Sequence, residues 1–243
     1  MSAIEREFRL ISDVEFREIS GQFLYIECKD VLEKMKQTED IRENSTGLIV
    51  YAYIDHTSGL SCQPILVADL QGDSLQVFDL AESDTKYIFR INEGYKENSE
   101  QYGEVKLWMC HITPDHRFCN AEAFGNLTDG LKPFAAFIDK QYGMNDPDRV
   151  EFRNNTDYDK WRNKYWPDDF QVHLFDENNN GEVVWVRAEY VTEQEFLGEL
   201  LNEPYQDFGI HKGDMIGFKE HLFEDGERIL FSTLHVWVME GLS

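Results

Sequence analysis

The amino-acid sequence predicts an α+β protein of mostly antiparallel β-sheets with a few helices, arranged as two β-rich parts. Three observations carry this. Aromatic residues make up 14% of the 243 residues, with 17 Phe, 11 Tyr and 5 Trp, and flat rings pack well on a pleated surface. Short apolar runs bounded by Gly, Asn, Asp and Pro recur along the chain, which is the pattern of strands and turns. A polar stretch over 144–159 interrupts the series with Asn145-Asp146-Pro147-Asp148 and Arg153-Asn154-Asn155-Thr156-Asp157. The expected division is therefore an N-terminal α+β domain over 1–145 and a small β-rich domain over 160–243.

The elements follow in order. Residues 22–28 (Gln-Phe-Leu-Tyr-Ile-Glu-Cys) read as the first strand, and Asp30 as the cap of a short helix with Val31, Leu32 and Met35 on one face. Residues 48–55 are a strong strand, closed by the turn His56-Thr57-Ser58-Gly59. Strands 64–69 and 74–79 are joined as a hairpin by Gln71-Gly72-Asp73. A further strand is expected at 86–91, and a hairpin pairs 104–113 with 117–124 about Pro114-Asp115. Leu131, Phe134, Ala135, Ile138 and Tyr142 have helical spacing, with Pro133 in the first turn and Gly143 where a C-terminal cap belongs. Beyond the polar break, strands are expected at 170–175, 183–191, 195–201, 214–219 and 229–239. Trp185 and Phe196 are expected on paired strands, connected by Thr192-Glu193-Gln194, with both rings in the core. Gly213-Asp214 is expected to be the turn that admits 215–218 to the same sheet. The likeness of 103–109 to 181–186 is a single gapped match and reads as chance similarity between two Trp-bearing hairpins.

Charge narrows the function classes. The chain has 47 acidic and 23 basic residues, a net charge of −24, and the excess is split evenly about residue 150. Such a surface repels nucleic-acid phosphates and anionic membranes, and its natural complement is a basic protein partner. The longest apolar run, 48–54, is far short of a membrane span. The first residues carry no apolar signal region, and Cys28, Cys62, Cys110 and Cys119 do not resemble a disulfide framework, so a cytoplasmic location is expected.

No metal or other cofactor is expected. Asp176-Glu177-Asn178-Asn179-Asn180-Gly181 begins like a calcium loop, but its twelfth position is Arg187, a cation where a bidentate carboxylate belongs. Cys110, His111, His116 and Cys119 fall on a hairpin whose alternation puts the two Cys on one face and the two His on the other. The Gly-x-Ser-x-Gly elbow, the Gly-x4-Gly-Lys loop, Gly-x-Gly-x-x-Gly and His-Glu-x-x-His are all absent from the sequence.

The segments Val184-Trp185-Val186, Gly198-Glu199-Leu200-Leu201-Asn202-Glu203-Pro204 and Gly213-Asp214-Met215-Ile216-Gly217-Phe218 form a set. Together they resemble the bacterial family known as domain of unknown function 2314. The shared pattern is a Trp-bearing strand, a Gly-x-Leu-x-Asn-x-Pro stretch and a Gly-Asp opening an apolar strand. The resemblance covers the last third of the chain and departs from the pattern at Lys219-Glu220-His221-Leu222-Phe223. It implies a small acidic bacterial domain and brings no catalytic residues.

The candidate binding residues are Asp168, Asp169, Asn202, Glu203, His211 and Asp214. Asp168-Asp169 after Trp166-Pro167 suits a turn, because adjacent strand residues point to opposite faces. Asn202-Glu203-Pro204 suits the end of a strand, since Pro204 donates nothing to a ladder. The leading functional expectation is a non-enzymatic, immunity-protein-like module that binds a basic partner. The alternative is a hydrolase using Asp168, Asp169, Glu203, His211 and Asp214, which requires those groups to meet in one concave pocket. A nucleic-acid mimic ranks third.

Overall fold

A computed structural model describes residues 6–36, 41–79, 112–175, 181–191 and 195–232. The chain divides into two compact units, 1–145 and 146–243. Each is built around antiparallel strands, so the protein is α+β with two β-rich parts.

Unit 1 is a six-stranded sheet. Its strands are β1 (Arg9–Leu10), β2 (Gln22–Glu27), β3 (Gly47–Asp55), β4 (Gly59–Gln71), β5 (Ser74–Asp79) and β6 (Arg117–Asn120), in the order β1-β6-β2-β3-β4-β5. Every neighbouring pair is antiparallel. The expected turn at 56–58 and the hairpin at Gly72-Asp73 both form. Pro64 lies inside β4 because the register shifts there, between Ile49 and Val50 of the partner strand, and a bulge tolerates a residue with no N–H.

Strand β3 is buried at every position from Gly47 to Ile54, so both faces of the sheet are covered. On one face Phe23, Tyr25, Ile49, Tyr51, Tyr53 and Cys119 join a core that includes Ile138 of α3 (Lys132–Tyr142). Gly143 ends that helix in the left-handed conformation, φ 61°, as its place in the sequence predicts. Alternation turns the intervening residues, Leu24, Ile26, Leu48, Val50 and Ala52, to the opposite face, where they are also buried. Of the two short helices before β3, α1 (Phe16–Ile19) buries Phe16 and Ile19, and α2 (Lys29–Met35) buries Val31 and Leu32.

Three details of unit 1 differ from the sequence reading. Asp30 is not the cap of α2; Cys28 holds that position, and the Asp30 carboxylate lies 2.9 Å from His116 Nε2. Strand β6 stops at Asn120, where the side chain accepts the Glu122 N–H at 2.8 Å and starts a 3-10 turn over Ala121–Phe124. An Asn that satisfies the next turn's amide competes with strand continuation. The expected strand at 86–91 and residues 104–111 of the one expected at 104–113 lie outside the described residues, and Ile112 and Thr113 are not in a strand.

Unit 2 is a closed five-stranded barrel. Its strands are β7 (Asp169–Phe175), β8 (Gly181–Val191), β9 (Phe196–Leu200), β10 (Met215–Leu222) and β11 (Arg228–Ser232). Consecutive strands pair antiparallel, and β11 closes on β7 in parallel. That one parallel contact is dictated by counting: an up-and-down order with an odd number of strands brings the first and last together in the same direction. Phe170, Val172, Leu174, Val184, Val186, Leu200, Ile216, Phe218 and Leu230 fill the interior. Gly198 allows closure, because a Cβ there would sit 2.3 Å from the Arg187 carbonyl oxygen across the β8–β9 pair.

From Asp146 on, the polar stretch expected to mark the boundary belongs to this unit. Asp146 caps helix α4 (Pro147–Asn154) by accepting the Asp148 N–H at 3.1 Å. The helix carries Phe152 into the barrel core, with ring centroids 5.3 Å from Phe170 and 5.7 Å from Phe196. Its Asn- and Asp-rich composition is that of a loop, yet Asp-Pro is also a cap followed by the first helical residue. Arg162 fastens the same segment: its guanidinium donates to the carbonyls of Pro167 and Phe152 and lies over the Phe152 and Phe170 rings.

Trp185 is a correction. It lies on β8, paired with β9 as expected, but it is only half-buried and stands outside the core. Val184, Val186 and Ala188 are buried inside. Alternation therefore puts Trp185 on the outer face, beside Gln171 of β7. Phe196 is in the core, its ring 5.1 Å from Phe218.

Candidate functional site

The sequence candidates fall into two groups. Asn202, Glu203, His211 and Asp214 come together in the β9–β10 loop, residues 201–214, and each is engaged in shaping it. Asn202 Oδ1 accepts the Trp185 N–H at 2.7 Å, which fixes the chain where it leaves β9. The Glu203 carboxylate lies 2.8 Å from His211 Nδ1 and accepts the Lys212 N–H at 2.9 Å. Asp214 Oδ2 accepts the His211 N–H at 2.7 Å, and Gly213, φ 95°, donates its N–H to the Leu200 carbonyl. The turn into β10 thus forms where the Gly-Asp pair predicts it. Glu182 completes the set by accepting the N–H groups of Tyr205 and Gln206 at about 3 Å. Inside the loop Ile210 is buried in the barrel core and Phe208 packs against it, while Tyr205 is 98% exposed.

Glu203 and His211 are mutually stabilised. The His211 ring holds the Glu203 carboxyl below its ordinary value, helped by the Lys212 N–H. The Glu203 carboxylate raises the His211 imidazole. Both side chains are well exposed, 59% and 73%, so the pair sits on a solvated surface rather than in a cleft.

Asp168 and Asp169 each face an arginine. Asp168 is bidentate with Arg153 at 2.9 and 2.6 Å, and both side chains are 5% exposed. Asp169 opens β7 and is bidentate with Arg187, its cross-strand partner, at 2.9 and 3.3 Å. Fork-on-carboxylate geometry of this kind orients as well as binds. Here it ties α4 to the entrance of β7 and β7 to β8.

A concave site missed by sequence reasoning lies in unit 1. It is a cavity of about 450 Å³ between the start of β2, the end of β6 and helix α3. Tyr51 Oη donates to Asp139 Oδ1 at 2.6 Å, joining β3 to α3. Asn120 Nδ2 donates to Gln22 Oε1 at 3.0 Å, and Gln22 Nε2 donates to the Glu18 carbonyl at 2.7 Å. The Phe23 and Tyr51 rings, 5.0 Å apart and tilted by 51°, line the same space. Burial, and then the Asp139 bond, push the Tyr51 phenol above its ordinary range, so it stays protonated and acts as a donor. Its hydrogen-bonded pairs Tyr51–Asp139 and Gln22–Asn120 are 88 and 98 positions apart, and no local motif joins them.

The three described thiols are passive. Burial pushes Cys28 and Cys62 up to about 12 and Cys119 up to about 11, so none is a thiolate near neutrality. Among the described residues, no group of three or more His, Cys, Asp or Glu is disposed to hold a metal ion, and no helix is long and apolar enough to cross a membrane. Cys110, His111 and the calcium-like stretch 176–180 lie outside the described residues.

Comparison with known proteins gives no relative: no family model, curated protein or solved structure matches the chain.

Proposed function

We propose that the chain is a non-catalytic, acidic binding module, acting in the bacterial cytoplasm on a basic protein partner in the manner of an immunity protein. The observation that carries this reading is the contrast between the charge of −24 and the employment of the best catalytic candidates. Asp168 and Asp169 are taken by arginines, and Glu203 and Asp214 by His211 and backbone N–H groups. A general base needs a carboxylate or imidazole presented to a substrate in a pocket, and these groups are presented to the protein itself. The remaining acidic surface attracts cationic partners and repels nucleic acid. Kinship of unit 2 with domain of unknown function 2314 is part of the same proposal, supported by Gly198, Asn202 and the Gly213-Asp214 turn having defined places in the barrel.

The test is retention of a partner from lysate of the source organism on the immobilised chain. A protein of high isoelectric point should be held at low ionic strength and released as salt rises, since complementary charge is screened over a Debye length of about 10 Å at 0.1 M. Nothing retained at low salt would remove the reading.

A further inference from the structure

Resting on that reading, we infer that the unit 1 cavity is the anchor point for one arginine side chain of the basic protein partner. The wall carries two carboxylates with unused capacity. Asp139 accepts the Tyr51 hydroxyl at Oδ1, and among the described residues no hydrogen bond or ion pair reaches its Oδ2 or the exposed Glu122 carboxylate, which feels Lys132 only at longer range. Lys132 also lines the cavity; its ammonium pairs with Asp129 at 2.6 Å, outside the lining, and reaches Glu122 only at longer range. The lining thus carries two carboxylates against one ammonium that is itself shared with Asp129.

Its shape selects a guanidinium over a compact ammonium. Tyr51 holds the Asp139 carboxylate in one orientation, and the amide oxygens of Gln22 and Asn120 are fixed by their own bonds. A planar fork of N–H donors matches such fixed, separated acceptors, whereas an ammonium does not. The Phe23 and Tyr51 rings supply an apolar surface, and a guanidinium is weakly hydrated enough to lie on one. At about 450 Å³ the cavity is of ligand-binding size. Gly21, with φ 78°, lies on the rim, where a Cβ would come to 4.0 Å from Tyr51 Oη. The source is a protein rather than free arginine. A free amino acid brings its own carboxylate to a wall that already carries Glu122 and Asp139 and to a surface of charge −24.

The experiment is an NMR titration of the full chain at low salt with the blocked peptide acetyl-Gly-Arg-Gly-amide. Its lysine and citrulline analogues and free arginine serve as parallel arms. The arginine peptide should move the amides of Gly21, Gln22, Asn120 and Glu122 and bind more tightly than the other three. Glu122→Gln and Asp139→Asn should each weaken it about three- to tenfold, the range for a partly exposed charge pair. Glu122 is exposed, and an Asn at 139 retains an oxygen for the Tyr51 hydroxyl, so both variants keep the fold. Three outcomes overturn the cavity assignment alone, leaving the acidic-module reading in place. These are shifts spread over the surface and away from the cavity, equal binding of the citrulline peptide, or tighter binding of free arginine. If neither the arginine nor the lysine peptide binds anywhere at low salt, both fall.

Discussion

The two units use the same chemical material in opposite ways. In unit 2 carboxylates are structural: Asp168 and Asp169 each clasp an arginine, and Glu182, Glu203 and Asp214 hold backbone amides of one loop. In unit 1 the core is held by apolar and aromatic packing around a strand buried on both faces, and two cavity carboxylates keep capacity for a ligand. The difference follows from architecture. In the barrel unit the polar segments 146–168 and 201–214 send Phe152, Trp161 and Ile210 into the core, and their carboxylates tie the rest of the chain down. The broad sheet of unit 1 relies more on apolar burial, with single ties such as Tyr51–Asp139 and His116–Asp30 added to it. Acidity alone is thus a poor guide to function, because what matters is which carboxylates already have partners.

The largest expected effect comes from breaking the buried tie in unit 2. Asp168→Ala leaves Arg153 charged, 4% exposed and without its bidentate partner. Removing one member of a buried pair costs about 3–5 kcal/mol, and chemical denaturation should show this as a lower midpoint for the unit 2 transition. Replacing both members, Arg153→Met with Asp168→Leu, should cost less than the single change, because no charge is then stranded. Equal losses for single and double variants would show that the pair matters for its shape and not its charge.

The second contrast is within β8 and β9. Phe196→Ala opens a void beside Phe152 and Phe218 and should cost about 3–5 kcal/mol. Trp185→Ala, on the outer face, should cost less than half of that despite the larger ring. Trp185 fluorescence should accordingly be quenched by acrylamide more readily than a core indole. A larger loss at Trp185 than at Phe196 would contradict the observed facing of β8.

These two positions also mark how far the sequence was legible. The paired strands, the Gly213-Asp214 turn and the Gly143 cap were readable, because each depends on neighbours in the chain. Trp185 was not, because a strand with Val on either side of Trp has two hydrophobic faces locally, and only barrel closure decides which is inside. Helix α4 was hidden by its Asn and Asp content, although Asp146-Pro147 carried a helix-start signal. The long stretch between β5 and β6 separates Tyr51 from Asp139 in sequence, so the cavity had no local signature. Asp168 and Asp169 were visible as a pair of acids, but their arginines, 15 and 18 residues distant, were not.

A third, smaller effect tests the unit 1 side. Tyr51→Phe deletes the hydroxyl that joins β3 to α3 through Asp139 and keeps the ring. A hydrogen bond to a charged acceptor contributes about 1.5–3 kcal/mol. The loss should appear in denaturation of the full chain, with faster hydrogen exchange along α3 (Lys132–Tyr142). No change in either would show that packing of Ile138 and Tyr142 alone holds the helix.

The smallest effect is the pH response of the β9–β10 loop. The Glu203 carboxyl is lowered from 4.5, so its contribution is present above that value and is lost as pH falls through the depressed one. The His211 ring is raised from 6.5 by Glu203, with Asp214 and Asp207 adding to it. Its contribution is therefore present below 6.5 and is lost as pH rises through the raised value. The two windows overlap between 4.5 and 6.5, where the pair is fully charged and the loop should be most ordered. Both groups are exposed, so water and salt screen the pair and the global melting temperature should hardly move. The response belongs in local observables: the titration of the His211 ring protons and the exchange rates of the Tyr205, Gln206 and Lys212 amides. In Glu203→Gln the His211 titration should fall back toward its ordinary value and Lys212 exchange should quicken, while the Tyr205 and Gln206 amides, held by Glu182, should change little. If all three amides respond together, the loop is one cooperative unit and the Glu182 and Glu203 ties are not independent.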